Sequence, residues 1–583
     1  MEPTTPPPRS SLLPAFAAAL GLAGASFAIG LARLRVSHPH EDAYILFQYV
    51  RNLAAGHGIV FRPDGPPTEG ATDFLWLIAL TLTRVAGVDV AIAAQAWNAL
   101  GAGWLGFVLV RLHHDARRTH GARMRGIDWA FVGLAAGVLA TGAAIAGWAG
   151  FSSLAYVALV VWLADLATRD GPRLRRALPF AALVVGLVRP DGALLGVAFV
   201  VAAWVSAGPA GRERGWRAAT VVALALGALY FAWRWWYFGE LLPLPLVVKT
   251  NGRPPFDLAR LVAEPANVLP GLAAIREWTT SRAGPLPFLA VWLGALSFAR
   301  DRRRELVVAG LLACASAVFL LQLAFARPVQ NHAFRFQAPV ALLAAYAAWR
   351  VAGGVAVDRT RALPVRALAL VALGVMWLPG LTRVRDQWAW DASAQSYMDV
   401  FPARARASFA RGLSVVLTEA GRLPFWTAAR AHDAVGLNES TTAHRPPDEA
   451  WLASVAPDVV FFHVADALEL ASDGDADVQR LEPSALERAV RPRWRAAYAR
   501  DYATYPPDIA PETLAALVLA RHVERHGAEY EVWAVRYQGA LRHVWALRRS
   551  LPEREALVEE LRASSQPGAW RPYAEVAAGL RER

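Results

Sequence analysis

Apolar stretches long enough to cross about 30 Å of hydrocarbon recur along the chain to about residue 382 and then stop, the clearest being Ser11 to Leu34 and Thr220 to Phe238. The pattern predicts spans over residues 11–33, 89–110, 128–147, 151–167, 177–189, 191–206, 218–238, 285–299, 305–325, 337–352 and 366–382, about eleven in all. Thr72 to Ala86 is apolar but short, and it contains Asp73, Thr81, Thr83 and Arg84. It is expected to be a helix lying at the membrane surface, not a span. The spans on either side of Arg189, Pro190, Asp191 and Gly192 are short, which predicts a tight helical hairpin with a charged turn. Beyond Val384 the pattern changes to brief apolar runs at Ser414 to Thr418, Asp458 to Phe462 and Tyr530 to Ala534. Helix-like segments near 483–500, 512–526, 537–549 and 553–563 separate or follow them. The fold class expected is an α-helical integral membrane protein, residues 1–383, with a C-terminal soluble α/β domain, residues 384–583.

Composition agrees with that division. The chain has 583 residues, 55% of them hydrophobic, and carries 60 basic against 48 acidic side chains. Of the basic residues only Lys249 is a lysine, and it follows Leu246, Val247 and Val248, so this sequence contains no P-loop, which argues against an ATP-driven transporter in one chain. Arginine and alanine richness points to a GC-rich genome and not to a nucleic-acid partner. Cys314 is alone, so there is no intrachain disulfide. Arginine clusters fall at 111–125, 169–176, 212–217, 300–304 and 350–366. The positive-inside rule places these loops in the cytoplasm. The N-terminus is then cytoplasmic, and the loop 35–88 and everything after Val384 lie on the outer side of the inner membrane.

That orientation gathers ionisable residues at the outer ends of spans: Glu41 and Asp42, Asp191 with Arg189, Lys249, and His332 with Arg335. Charges of both signs at membrane depth need partners or water, which predicts a polar cavity open to the outside. Carboxylates beside cations suit a base working on a hydroxyl next to an anionic group. His38, His40, Glu41 and Asp42 are the candidate ligands for a divalent cation, although the spacing has no helical or hairpin logic.

The loop after the first span reads Glu41-Asp42-Ala43-Tyr44-Ile45, Tyr49, Arg51-Asn52-Leu53-Ala54, Gly56-His57-Gly58-Ile59-Val60-Phe61, Pro63, Gly65, Glu69-Gly70-Ala71-Thr72 and Phe74-Leu75-Trp76. Leu187-Val188-Arg189-Pro190-Asp191-Gly192, Tyr237-Phe238-Gly239-Glu240-Leu241-Leu242-Pro243 with Lys249, and Phe334-Arg335-Phe336 with Pro339 follow further on. Together these stretches resemble the motifs of polytopic GT-C glycosyltransferases, in particular the family of the mycobacterial terminal arabinofuranosyltransferase. Thr418-Glu419-Ala420-Gly421 and Asp433-Ala434-Val435-Gly436-Leu437-Asn438 are similar, more loosely, to segments of that family's outer domain. Differences are Glu41 in place of Asp, Ala71 in place of Tyr, and Ala149-Gly150-Phe151-Ser152-Ser153, which lacks the family's outer glutamate.

The resemblance implies transfer of a sugar, such as the pentofuranose arabinofuranose, from a polyprenyl-phosphate donor to a cell-envelope glycan or lipid acceptor. It implies Asp42, with Glu41 beside it, as the catalytic carboxylates, and Lys249 and Arg335 as ligands of the donor phosphate. Arg189, Asp191, Glu69 and His332 would organise the site. The sequence assigns no cofactor, a divalent cation being the one candidate. The alternatives are a non-catalytic relative that binds lipid-linked glycan and a secondary transporter, the latter expected to carry its ionisable groups near the midplane.

Overall fold

The structure is a computed structural model. It describes residues 13–119, 143–169, 171–207, 213–250, 271–280, 285–297, 301–326, 332–356, 384–389, 395–464, 477–486, 511–537 and 542–581, and residues 262, 269, 299 and 382 besides. The predicted spans 366–382 and most of 128–147, and the helical segment expected near 483–500, lie outside the described residues apart from a few end positions.

The protein is a helical membrane protein carrying an α/β domain. Among the described residues, four helices are long and apolar enough to cross a membrane: Leu13–Leu34 (α1), Val90–Leu112 within Val90–Thr119 (α4), Arg214–Phe238 (α8) and Arg302–Ala324 (α12). Between them lie Glu41–Ala54 (α2), Phe74–Val85 (α3), Ser153–Thr168 (α5), Pro172–Val188 (α6), Asp191–Ser206 (α7), Leu244–Lys249 (α9), Leu272–Thr280 (α10) and Leu286–Leu296 (α11); Ala338–Ala356 (α13) follows α12. Their apolar sides meet in one buried cluster containing Leu105, Tyr156, Val160, Phe199, Phe319 and Tyr346. α8 packs mainly on α6 and leaves Val221, Leu229 and Trp236 at 65%, 67% and 80% exposure. In water such a surface would be unstable, so this face belongs against lipid.

The predicted hairpin is present: α6 ends at Val188, Arg189 to Pro190 form the turn, and α7 begins at Asp191. The two helices lie close because Gly196 faces the Ala182 carbonyl, where a Cβ would stand only 2.9 Å away. The helix expected at 72–86 is present as α3, whose Leu82 and Val85 are 65% and 68% exposed. Arginine-rich ends of α4, α5, α12 and α13 gather at one end of the bundle, where Arg111 pairs with the fully buried Asp165 and Arg350 Nε lies 3.0 Å from Glu305 Oε2.

The C-terminal domain is a six-stranded mixed sheet in the order β2-β1-β3-β6-β5-β4. Strands β1 (Ser414–Leu417), β2 (Arg430–Asp433) and β3 (Val459–Val464) run parallel; β4 (Val478–Leu481), β5 (Tyr530–Arg536) and β6 (Arg542–Arg548) extend the sheet antiparallel. Helices Glu449–Val455 (α14), Pro511–Arg525 (α15) and Arg554–Ser565 (α16) pack on it, while Tyr573–Arg581 (α17) lies against the loop 35–88 and Asp89.

One expectation fails here: 537–549 is not helical, and its described part forms β6. Val544 to Leu547 are buried without interruption because β6 lies between β3 and β5 with both sheet faces covered, which erases the two-residue alternation that marks a half-exposed strand. Trp545 stacks on Phe461 with ring centroids 4.2 Å apart. Burying each such ring contributes roughly 1.5–3 kcal/mol.

One face of this sheet shares a buried cluster with α2 and α3, in which Tyr44, Phe47 and Leu77 join Leu417, Phe461 and Trp545, and α2 meets the domain through the short helix Arg422–Trp426, whose Phe425 ring lies 5.2 Å from that of Tyr44. Polar ties span the same seam: His38 Nε2 lies 3.0 Å from the Arg571 carbonyl, and the Tyr573 hydroxyl donates to Asp89 Oδ1 at 2.9 Å. The loop 35–88 is therefore clamped between the bundle and the sheet, and its helices hold one conformation because both sides are filled.

Candidate functional site

The site begins at the first turn of α2. His40, in extended conformation, caps the helix by accepting the Asp42 backbone N–H on Nδ1 at 3.2 Å. Successive helical side chains diverge by about 100°, so the neighbours Glu41 and Asp42 point to different surroundings. Asp42 faces an open cavity between the bundle and the C-terminal domain. Glu41 faces the domain seam. There its Oε1 accepts the backbone N–H groups of Gly421 and Arg422 at 2.7 and 3.0 Å, and Oε2 lies 3.2 Å from Arg422 Nη1. Burial pushes the Glu41 carboxyl up, Arg422 pulls it back and Glu419 adds to the rise, leaving it above the ordinary carboxylate range. The expected catalytic pair is thus divided into one cavity residue and one docking residue.

Gly421 permits that docking. A Cβ there would stand 2.1 Å from the Glu41 carbonyl oxygen, a contact that only backbone displacement could relieve. Gly421→Ala is expected to destabilise the seam by about 1–3 kcal/mol, read as a lowered thermal unfolding midpoint of the protein in detergent.

Around Asp42 the cavity collects groups from distant parts of the chain. Arg335 Nη2 donates to Asp42 Oδ2 at 3.0 Å. The Arg335 guanidinium is held over Phe151, 3.7 Å from its centroid, and beside Phe336 at 4.9 Å, while its Nη1 is buried with no hydrogen-bond partner among the described residues. The turn that presents it is strained: Ala333 and Phe334 have φ of 52° and 54°. Such left-handed conformations cost non-glycine residues of order 1 kcal/mol or more each and concentrate at functional sites. Lys249, at the end of α9, lies 4.8 Å from the Phe336 centroid and makes no ion pair among the described residues. Arg189 lines the cavity with its fork closed on Asp191, at 3.1 and 2.8 Å. That bond fixes the hairpin turn and presents the guanidinium over Tyr156, 4.9 Å from its centroid.

The electrostatics separate these groups. Burial raises the Asp42 carboxyl, but His40, Arg335 and Lys249 together outweigh it and hold it below its ordinary value, so it stays ionised. Burial, with repulsion from Arg335 opposed by Asp42, brings the Lys249 ammonium down to about 8.

Two carboxyl groups join the cavity that the sequence reading did not select. Asp73, just before α3, accepts the Ser152 hydroxyl. Burial raises its carboxyl, Asp191 adds to the rise, and Arg189 and Ser152 oppose it. Asp73 satisfies the same criterion that selected Asp42, an ionisable residue at an expected outer helix end, and could have been found by it. Glu512, in the first turn of α15, closes the cavity from the C-terminal domain, and burial with the nearby Asp42 raises it. No local signal marks it.

Glu69 lies elsewhere: its Oε1 accepts Arg234 Nε at 2.9 Å, and the same guanidinium donates to the carbonyls of Glu240 and Leu241. It ties loop 35–88 to the end of α8 and does not line the cavity. The His332 side chain lies outside the described residues. The cation ligand set suggested by the sequence is dispersed, since His38 Nδ1 meets the Tyr44 hydroxyl at 3.1 Å and His40 serves as a helix cap. The cavity therefore presents three carboxyl groups, Asp42, Asp73 and Glu512, and three cations, Arg189, Lys249 and Arg335, above apolar walls from Ile45, Trp76 and Val248. It can hold an anion and accept a proton from a neighbouring hydroxyl. No protein-family model matches the chain, and no curated protein matches it in sequence.

Proposed function

We propose that this protein is an integral membrane glycosyltransferase of GT-C architecture, with about eleven spans, a cytoplasmic N-terminus and the cavity and C-terminal domain on the outer face. It transfers a sugar, such as a pentofuranose, from a polyprenyl-phosphate donor to a cell-envelope glycan or lipid. The observation that carries this reading is the meeting, in one open cavity, of the ionised Asp42 with Arg335 and Lys249. Each comes from a separate segment of the motif pattern.

In this reading the donor phosphate lies against Lys249 and the buried Nη1 of Arg335, and the isoprenoid chain remains in lipid. The acceptor hydroxyl gives its proton to Asp42 as its oxygen bonds to the anomeric carbon; the bond from that carbon to phosphate oxygen breaks, and polyprenyl phosphate leaves with the electron pair. The two cations stabilise the charge that gathers on the leaving group. Arg335 serves both partners, so proton transfer to Asp42 and release of the phosphate are coupled through one guanidinium. Asp73, raised by burial where Asp42 is lowered, lines the same cavity and accepts the Ser152 hydroxyl, which suits a group that orients substrate by hydrogen bonding.

The test is release of polyprenyl phosphate from a panel of polyprenyl-phosphate sugars by the purified protein in nanodiscs. Release that depends on an added glycan acceptor supports the transferase. Donor binding without release from any donor leaves the lipid-glycan binder as the better account.

The Lys249 ammonium adds a pH prediction. A lysine lowered to about 8 loses its charge as pH rises through that value, so donor capture, read as kcat/KM, is expected to fall on the alkaline side of about 8. Lys249→Arg removes that limb, because a guanidinium keeps its charge. An unchanged alkaline limb in the variant would take the phosphate role away from Lys249.

A further inference from the structure

At the far end of α15 from Glu512, a second cluster of chemistry-bearing side chains has no part in the cavity. His522 and His526 are four residues apart, still within helical hydrogen bonding because the His526 N–H donates to the His522 carbonyl at 3.0 Å, and so they share one face. Glu449, in the first turn of α14, reaches that face. Its Oε2 lies 2.7 Å from His522 Nδ1 and 3.9 Å from His526 Nε2. One ligand atom from each of the three residues falls within 4.8 Å of the others. The remaining nitrogen of His526, Nδ1, is 2.9 Å from Glu529 Oε1.

This is the arrangement that orients histidines in metal centres: a carboxylate behind the imidazole fixes the tautomer and turns the other nitrogen towards the ion. Arg525 Nη1 takes Glu449 Oε1 at 3.1 Å and leaves Oε2 facing the two rings. Side-chain exposures of 8% for His522, 39% for Glu449 and 41% for His526 describe a site anchored on one side and open to solvent on the other.

We propose that Glu449, His522 and His526 bind a divalent transition-metal ion of the zinc class, with water completing the coordination. Two imidazoles and one carboxylate select such an ion over Mg²⁺ or Ca²⁺, which take mainly oxygen ligands. The ion joins α14 to α15 and so fixes the direction of the helix whose first turn carries Glu512, about 20 Å away at 1.5 Å per residue. Its role is structural and separate from sugar transfer, so binding is measured independently of any activity.

The experiment is a Co²⁺ titration of the metal-free full-length chain in detergent. The expected result is one Co²⁺ per chain with the visible absorption of a four- or five-coordinate ion, displaced by Zn²⁺, together with a thermal midpoint that rises when Zn²⁺ is added. His526→Gln and Glu449→Gln each weaken Co²⁺ binding by about tenfold or more, while their metal-free midpoints stay close to that of the wild type, which separates lost ligation from lost folding. Absence of the absorption band in the wild type, or a band of unchanged affinity in both variants, overturns the proposal.

Discussion

Asp42→Asn is expected to lower the rate of sugar transfer by about a hundredfold to ten-thousandfold, the range for removing a positioned general base. Asparagine keeps the shape of the side chain and can still accept from Arg335 Nη2, now 3.0 Å from the carboxylate, so the cavity is not reshaped. What disappears is the charge. Without it Arg335 is released from its ion pair and Lys249 loses an attractive neighbour. Arg335 is then free for the donor phosphate, while Lys249, without Asp42 to hold its ammonium up, keeps its charge only at lower pH, so donor binding is retained when measured well on the acidic side of about 8. The diagnostic result is thus a split: polyprenyl-phosphate release collapses in single-turnover assays, while equilibrium binding of the lipid-linked sugar is no weaker than in the wild type. Loss of both together would show that Asp42 supports the structure of the cavity, and near-normal release would remove it from the chemistry.

The second large effect falls on stability. Arg422→Met is expected to destabilise the protein by about 3–5 kcal/mol, the cost of leaving buried charge without its partner. Arg422 Nη1 lies 3.2 Å from Glu41 Oε2 and its Nε 3.2 Å from Asp399 Oδ1, with all three side chains almost fully buried. Methionine fills much of the volume but leaves the buried Glu41 and Asp399 carboxyl groups without their guanidinium partner. The sign of the pH dependence follows. Burial already raises the Glu41 carboxyl and Arg422 is the largest influence that lowers it, so without Arg422 Glu41 binds its proton more tightly in the folded than in the unfolded chain and contributes stability at low pH that is lost as pH rises through its folded value. The variant's deficit should therefore shrink on acidification towards the unfolded carboxylate range and widen above it. Thermal unfolding of both proteins across that window measures this, and a deficit independent of pH would assign the loss to packing rather than charge.

Much of this architecture was legible in the chain because the signals are local. A helix in lipid must be apolar over its whole length, so α1, α4, α8 and α12 announce themselves, and a charged Arg189-Pro190-Asp191-Gly192 step between two short apolar runs leaves little besides a hairpin. Strands β1, β3 and β5 were visible as short β-branched and aromatic runs. The ionisable residues expected at outer ends of spans were Glu41, Asp42, Arg189, Asp191, Lys249, His332 and Arg335, and of these Asp42, Arg189, Lys249 and Arg335 line one cavity.

Tertiary structure alone decided the rest. Sequence adjacency made Glu41 and Asp42 a pair, but a helix turns them about 100° apart, and what each then meets depends on where the C-terminal domain lies; Gly421 and Arg422 claim Glu41. Glu69 was likewise drawn to Arg234, a partner 165 positions away. β6 was misread as a helix because a strand covered on both faces carries no alternation. Glu512 and the cluster of Glu449, His522 and His526 exist as sites only because the sheet places α14 and α15 where it does. Periodicity reports what each residue must avoid, water or lipid; which residues from distant segments share a cavity is set by packing, and packing is not written in any one stretch of the chain.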